Sequence, residues 1–367
     1  MICPTKSNLN ILIINTLKHY FMKKLCTIFA VCAALVAFSC SKAESIPETS
    51  DGVFVKHENL VTKALGDKAP TTFVYVETND VNPLNAMDYY TSLGEPFFDC
   101  IGFFAANIHT TTVDNVIQPT LYLNPELCPY LCDNGTPVTT YTDAIHNNDQ
   151  LAILCVLGDW ANFGLSTMNS TQASQFANIL CCVVTQCGFD GVLFDDEYSG
   201  TNTIINDSYS NIIIDFKQLC PDKKVFVFDW GGTSYISSTA AALIDYVHHG
   251  YFGYYLSTYY CHITGIGANR WSPISLEMGQ TYDTSALSTI QTWAGNALNA
   301  GYGQAMFYNL RTKNDVDPLP VLEAFAEGAG WDTPIACITG GGNRPQPSPV
   351  TGGCTITYDM ALNCCGE

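Results

Sequence analysis

The chain has 367 residues and a formal net charge of −19, with 47% of residues hydrophobic and only 13% charged. That balance fits one large buried domain or two modest ones and excludes a disordered chain. The negative charge argues against nucleic acid and anionic lipid headgroups as partners, while a neutral sugar chain is compatible with it.

The amino terminus reads as an address. Met22-Lys23-Lys24 precedes an apolar run over residues 25–38, which ends at Ala37-Phe38-Ser39-Cys40. A positive start, a short apolar stretch and a small residue before the cut describe an export signal, too short for a stable membrane span. Its ending resembles a bacterial lipoprotein signal, with Cys40 as the lipidated first residue and Met22 as the true start. The expectation is an exported lipoprotein, in the periplasm or on the outer-membrane surface, touching the membrane through its lipid only. A plain signal peptide or an amino-terminal helix is the alternative. Residues 40–68 are polar, lack periodicity and read as a tether.

From residue 69 to 332 apolar runs alternate with helical patterns. Predicted strands fall at residues 72–76 (TFVYV), 100–104 (CIGFF), 151–157 (LAILCVL), 191–194 (GVLF) and 225–228 (VFVF). Three further strands are expected at 244–247, 274–278 and 305–308. Residues 170–186 carry apolar positions at helical spacing behind Ser170 and Thr171 as potential caps, and 288–300 is a second good helix. Eight strand–helix units over such a length predict an α/β fold, a (β/α)8 TIM-type barrel forming one catalytic domain. An open doubly wound sheet is the rival, weakened by the lack of a glycine-rich phosphate loop after the first strand. Gly340-Gly341-Gly342 and Pro345-Gln346-Pro347-Ser348-Pro349 then break the pattern, so residues 333–367 read as a tail too short to fold alone unless disulfides staple it.

The 17 cysteines are many for this length. They lack the C-x2-C spacing of a zinc site, so neither metal nor organic cofactor is expected. Cys181-Cys182 and Cys364-Cys365 are adjacent and unsuited to bridging each other; the pairing of the set cannot be read from spacing.

The most informative stretch is Asp190-Gly191-Val192-Leu193-Phe194-Asp195-Asp196-Glu197-Tyr198. A buried strand ends in three acids, at the end of a barrel strand where active sites sit. Strand side chains alternate, so Leu193, Asp195 and Glu197 share one face and Asp196 points towards the helices. Two carboxyl groups so close do not both ionise easily, which leaves one as a general acid. A solvated acidic turn is the bland alternative.

This stretch resembles the D-G-x-D-x-D-x-E signature of glycoside hydrolase family 18, nearest to its endoglycosidase H and endoglycosidase F type. Tyr75-Val76-Glu77-Thr78-Asn79, Phe103-Phe104-Ala105-Ala106-Asn107-Ile108, Val156-Leu157-Gly158, Pro221-Asp222-Lys223, Glu277-Met278-Gly279 and Tyr308-Asn309-Leu310 extend the resemblance from about residue 71 to 330. It implies a retaining endo-β-N-acetylglucosaminidase that cuts the core of N-linked glycans, high-mannose or hybrid, with the substrate's own acetamido group as nucleophile. Glu197 would then be the acid/base and Asp195 would hold the acetamido N–H. Tyr251, with Tyr246 in reserve, would steady the same group. Phe104, Asn107, Asp159, Trp160, Asp229, Trp230, Glu277 and Tyr308 are the expected sugar contacts. The sequence departs from the signature at Leu193, where the family has its first aspartate; the expectation is a raised pKa for Asp195 and an altered pH profile. His248-His249 is read as structural, because adjacent strand residues point apart. A chitin hydrolase and a non-catalytic, glycan-capturing lipoprotein remain as alternatives, the latter favoured by Leu193. A monomer is expected.

Overall fold

The computed structural model describes residues 68–158, 163–197, 204–310, 316–338 and 343–362. The signal segment, Cys40 and nearly all of the tether lie outside the described residues, as do Asp159 and Trp160. Among the described residues no helix is long and apolar enough to cross a membrane.

Among the described residues, eleven strands form the main sheet. They are β1 (Thr71–Glu77), β2 (Cys100–Val113), β3 (Val116–Leu123), β4 (Leu151–Leu157), β5 (Gly191–Asp195), β6 (Lys224–Asp229), β7 (Tyr246–His249), β8 (Trp271–Ser272), β9 (Ser275–Glu277), β10 (Gln304–Tyr308) and β11 (Cys354–Ile356). The parallel path runs β8-β7-β6-β5-β4-β2-β1-β10-β9. Its two ends, β8 and β9, are halves of one run, so the path returns on itself and the expected (β/α)8 barrel is present. Pro273, which has no N–H to give a ladder, lies at the break between them. Beside it, residues 254–256 dip in: Ser275 N–H donates to Tyr254 O and Leu256 N–H to Pro273 O, both at 3.0 Å.

The longer helices among the described residues are α1 (Thr140–Asn147), α2 (Ser170–Gln186), α3 (Ser208–Leu219), α4 (Thr284–Asn299) and α5 (Leu319–Ala329). The bounds of α2 match the expectation, but its cap is Asn169 rather than Ser170 or Thr171. The Asn169 side chain accepts from Gln172 N–H and the Gln172 side chain accepts from Asn169 N–H, a capping box that contributes about 1 kcal/mol. The second helix begins at Thr284, earlier than expected, because Asp283 caps it through Ala286 N–H. The sixth barrel strand lies two residues later than expected, at Tyr246–His249.

Alternation sorts the strand residues into two cores. Phe73, Tyr75, Cys155, Leu193, Phe226, Phe228 and Met306 fill the barrel. Val74, Val76, Val192, Phe194, Val225 and Val227 face outward and pack with the helices; Phe194, for example, meets Tyr209 of α3 edge-on at 6.0 Å. Strand β2 runs far beyond the expected Phe104 and turns at Asp114-Asn115, both at positive φ, into its antiparallel partner β3. The tail is stapled: β11 pairs with β3 and Cys128 bridges to Cys354. Cys181 bonds Cys220, and its neighbour Cys182 is also disulfide-bonded, so neither bridges the other.

Candidate active site

The strand places Leu193 and Asp195 on one face, with Asp196 turned to the other. Leu193 points into the barrel core, fully buried, and Asp195 ends β5 two residues later on the same face, 1% exposed. Glu197 follows in a bend and is exposed. Burial drives the Asp195 carboxyl well above its ordinary 3.8, and the charges of Glu197 and then Asp196 push it the same way. Its Oδ1 is buried with no hydrogen-bond partner among the described residues. Leucine at position 193 offers no polar atom to it. An apolar-floored carboxyl with a raised pKa stands beside the exposed Glu197.

Asp196 turns outward, and it braces rather than reacts. Its Oδ2 accepts from Ser166 Oγ at 2.5 Å and from Gly232 N–H at 2.9 Å. The neighbouring turn depends on glycine: Gly231 has φ +63°, and a Cβ there would sit 1.9 Å from Asp196 O. The turn after β6 is thereby pressed against the acid-bearing end of β5.

Beneath the acids runs a buried polar string. Tyr75 Oη meets His248 Nδ1 at 2.7 Å, and His248 Nε2 meets Gln304 Oε1 at 2.6 Å. Gln304 Nε2 donates onward to Thr71 Oγ1. Burial raises Tyr75 well above its ordinary 10.0 and lowers His248 to about 4. The phenol therefore donates, the imidazole stays neutral, and its Nε2–H donates to Gln304. His249 points the other way: its Nδ1 accepts from Tyr251 N–H, and burial holds it also at about 4. The two histidines diverge, as read from the sequence.

The other expected site residues divide by position. Phe104 and Asn107 are half-buried on β2, Phe104 lying across from Glu77 in register. Glu277 ends β9 and accepts from Asn309 Nδ2 at 2.7 Å, with Tyr308 Oη within 3.4 Å. Tyr251 is 48% and Trp230 41% exposed, and their rings meet edge-on at 5.8 Å. Phe252, which the sequence reading did not select, stacks on Phe228 at 5.2 Å and lies 4.8 Å from Tyr308, so it roofs the barrel mouth.

Two expected contacts are corrected. Tyr246 begins β7 and stacks on Phe226 at 5.9 Å, near Thr71 and Lys224, which lies at the amino-terminal mouth, away from the acids. Asp229 is 3% exposed and spent on structure: it accepts from Thr233 Oγ1 at 2.7 Å and His262 N–H at 2.9 Å, with His262 Nδ1 at 3.1 Å. It pins the loop that carries Tyr251 and Phe252 rather than presenting a free carboxylate to a sugar.

The fold and these residues define a (β/α)8 barrel with a glycosidase-type acid cluster at the carboxyl mouth. No protein-family model matches the chain. It is 27% identical over 273 residues to endo-β-N-acetylglucosaminidase F1 of Elizabethkingia meningoseptica, covering 70% of this chain and 76% of that protein. It is 29% identical over 259 residues to an endo-β-N-acetylglucosaminidase of Flavobacterium sp. (strain SK1022), covering 68% and 77%. Among solved structures it is similar to EndoBT-3987 of Bacteroides thetaiotamicron, solved with a Man5GlcNAc product, at 24% identity and a TM-score of 0.58. That match covers 74% of this chain and 63% of the other. The same protein with a Man9GlcNAc2Asn substrate matches at 22% identity and a TM-score of 0.57. The resemblance to endo-β-N-acetylglucosaminidases thus extends along most of the barrel.

Proposed function

We propose that the protein is a retaining endo-β-N-acetylglucosaminidase that cleaves the GlcNAc-β1,4-GlcNAc core of N-linked glycans. The observation that carries this reading is the pairing of a buried Asp195, whose Oδ1 has no hydrogen-bond partner among the described residues, with an exposed Glu197 at the carboxyl end of one barrel strand. Glu197 reaches solvent, protonates the leaving oxygen and then activates water. The acetamido carbonyl of the substrate attacks the anomeric carbon and an oxazolinium ion forms. Asp195 accepts the acetamido N–H and steadies the positive charge that develops next to it. Tyr251 closes over the acetamido group from the loop after β7. Phe104, Asn107, Trp230, Glu277 and Tyr308 line the mouth for the flanking sugars. Asp159 and Trp160 remain sugar contacts on the evidence of sequence order alone.

The leader supports an exported lipoprotein anchored through Cys40, which would hold the barrel at a membrane surface where glycoproteins arrive. Palmitate labelling of the full chain, lost in Cys40→Ala, tests that part. A non-catalytic glycan-capturing protein is the second reading, and Leu193 is the observation that favours it. Incubation of residues 41–367 with a high-mannose glycopeptide separates the two. One N-acetylglucosamine left on asparagine, seen by mass spectrometry, supports the enzyme; binding without that product supports capture.

A further inference from the structure

Away from the acids, three sulfurs meet. The Sγ atoms of Cys128, Cys132 and Cys354 lie within 4.8 Å of one another, Cys128 buried and the other two half-buried. Cys128 and Cys354 are bonded and Cys132 is a free thiol. Cys187 is buried, and its Sγ donates to Leu131 O at 3.3 Å. A thiol beside a disulfide can exchange with it, because the attacking thiolate, the bond and the leaving sulfur need only come into line.

We propose that these three cysteines form a thiol–disulfide exchange site that clasps the carboxyl-terminal segment to the barrel. Cys132 thiolate attacks either sulfur of the Cys128–Cys354 bond. A Cys132–Cys354 or Cys128–Cys132 bond forms, the original bond breaks, and the displaced sulfur leaves as a thiolate that takes up the proton. The exchange is redox-neutral. Two of the three pairings hold Cys354; the third, within Cys128-Pro129-Tyr130-Leu131-Cys132, releases it. An external dithiol or disulfide, of small-molecule or oxidoreductase kind, would set the balance at the half-buried Cys132.

The clasp bears on the wall of the mouth. Upstream of Cys354, Val350 N–H donates to Pro125 O at 2.9 Å and Gln346 Nε2 donates to Thr78 O at 2.6 Å. Thr78 in turn gives both its N–H and its hydroxyl to Phe104 O, at 2.9 and 3.1 Å. Arg344 pairs with the buried Asp88 and donates to Leu84 O, and Asn82 Nδ2 donates to Pro345 O. Cys354 lies opposite Leu123, and the adjacent Tyr122 opposite Asn107. Release of Cys354 therefore loosens residues 344–356 and, through Thr78 and Tyr122, the strand that carries Phe104 and Asn107.

The test is disulfide mapping of the full chain by non-reducing peptide mass spectrometry after alkylation. In Cys128→Ser, oxidised under the same conditions as the parent, a Cys132–Cys354 peptide is expected; free Cys132 and Cys354 in a folded variant would overturn the proposal. If that variant does not fold, the parent decides. Equilibrated in a glutathione redox buffer, it should yield Cys132–Cys354 or Cys128–Cys132 peptides beside the native one. Only Cys128–Cys354, whatever the buffer, would overturn the exchange site. Amide exchange should accelerate at residues 344–356 in Cys354→Ser but not in Cys132→Ser; equal protection in all three proteins contradicts the clasp.

Discussion

A single buried carboxyl carries most of the account, and its cost can be measured. Asp195 keeps its proton to a higher pH in the native state than in the unfolded chain, where the ordinary value is 3.8. The native state thus binds the extra proton, and stability falls as pH rises above 3.8 and through the raised native value. Asp195→Asn should match the parent in thermal midpoint near pH 4 and exceed it by a few degrees at pH 8, while losing activity; thermal scans at both values check this. A midpoint that falls at pH 8 would mean that the carboxylate is stabilised by its surroundings. Leu193→Asp acts from below. It places a polar partner on the Asp195 face at the expense of a fully buried leucine, so stability should drop by about 2 kcal/mol or more. The pH–rate curve should shift along with it, and superimposable curves for parent and variant would remove Leu193 from the account.

At the scale of elements, the strand ends matter more than the strands. Gly231 allows the turn after β6 to touch Asp196 O, where a Cβ would stand 1.9 Å away. Gly231→Ala should cost about 2 kcal/mol or more in urea unfolding and lower kcat, since the bend carrying Glu197 is seated on that turn. The acidic cluster was readable because one period of two, Leu193-Asp195-Glu197, fixes which face each side chain takes. The barrel was readable from short apolar runs of the right number. What stayed hidden has a physical cause in each case. The β2–β3 hairpin turns on Asp114-Asn115, a pair tolerant of positive φ, and the strand leading into it runs through three polar threonines, Thr110-Thr111-Thr112, rather than an apolar alternation. The break between β8 and β9 depends on residues 254–256 filling it, a contact from outside the local sequence. The sugar-contact reading of Asp229 rests on its place at a strand end, while its bond to His262 comes from a loop more than thirty residues away. Tyr246 was a tyrosine near the right strand but at its wrong end.

Across the molecule, the buried polar string and the acids share one barrel interior. His248 and His249 are held near 4 against an ordinary 6.5. Depressed native values mean that the unfolded chain takes up protons first, so stability is full above pH 6.5 and is lost as pH falls towards 4, by roughly 3 kcal/mol for each histidine. His248→Gln should flatten part of that acid limb in a stability–pH curve; an unchanged limb would place the loss elsewhere. Above this interior, Glu197 is the acid that meets solvent. The most direct measurement is turnover and binding of a high-mannose glycopeptide by the parent and by Glu197→Gln. In Glu197→Gln, kcat should fall by about 10²–10⁴-fold while the dissociation constant stays close to the parent's. Equal turnover by the two proteins, or a parent that binds the glycan and never cuts it, would contradict the acid/base role of Glu197.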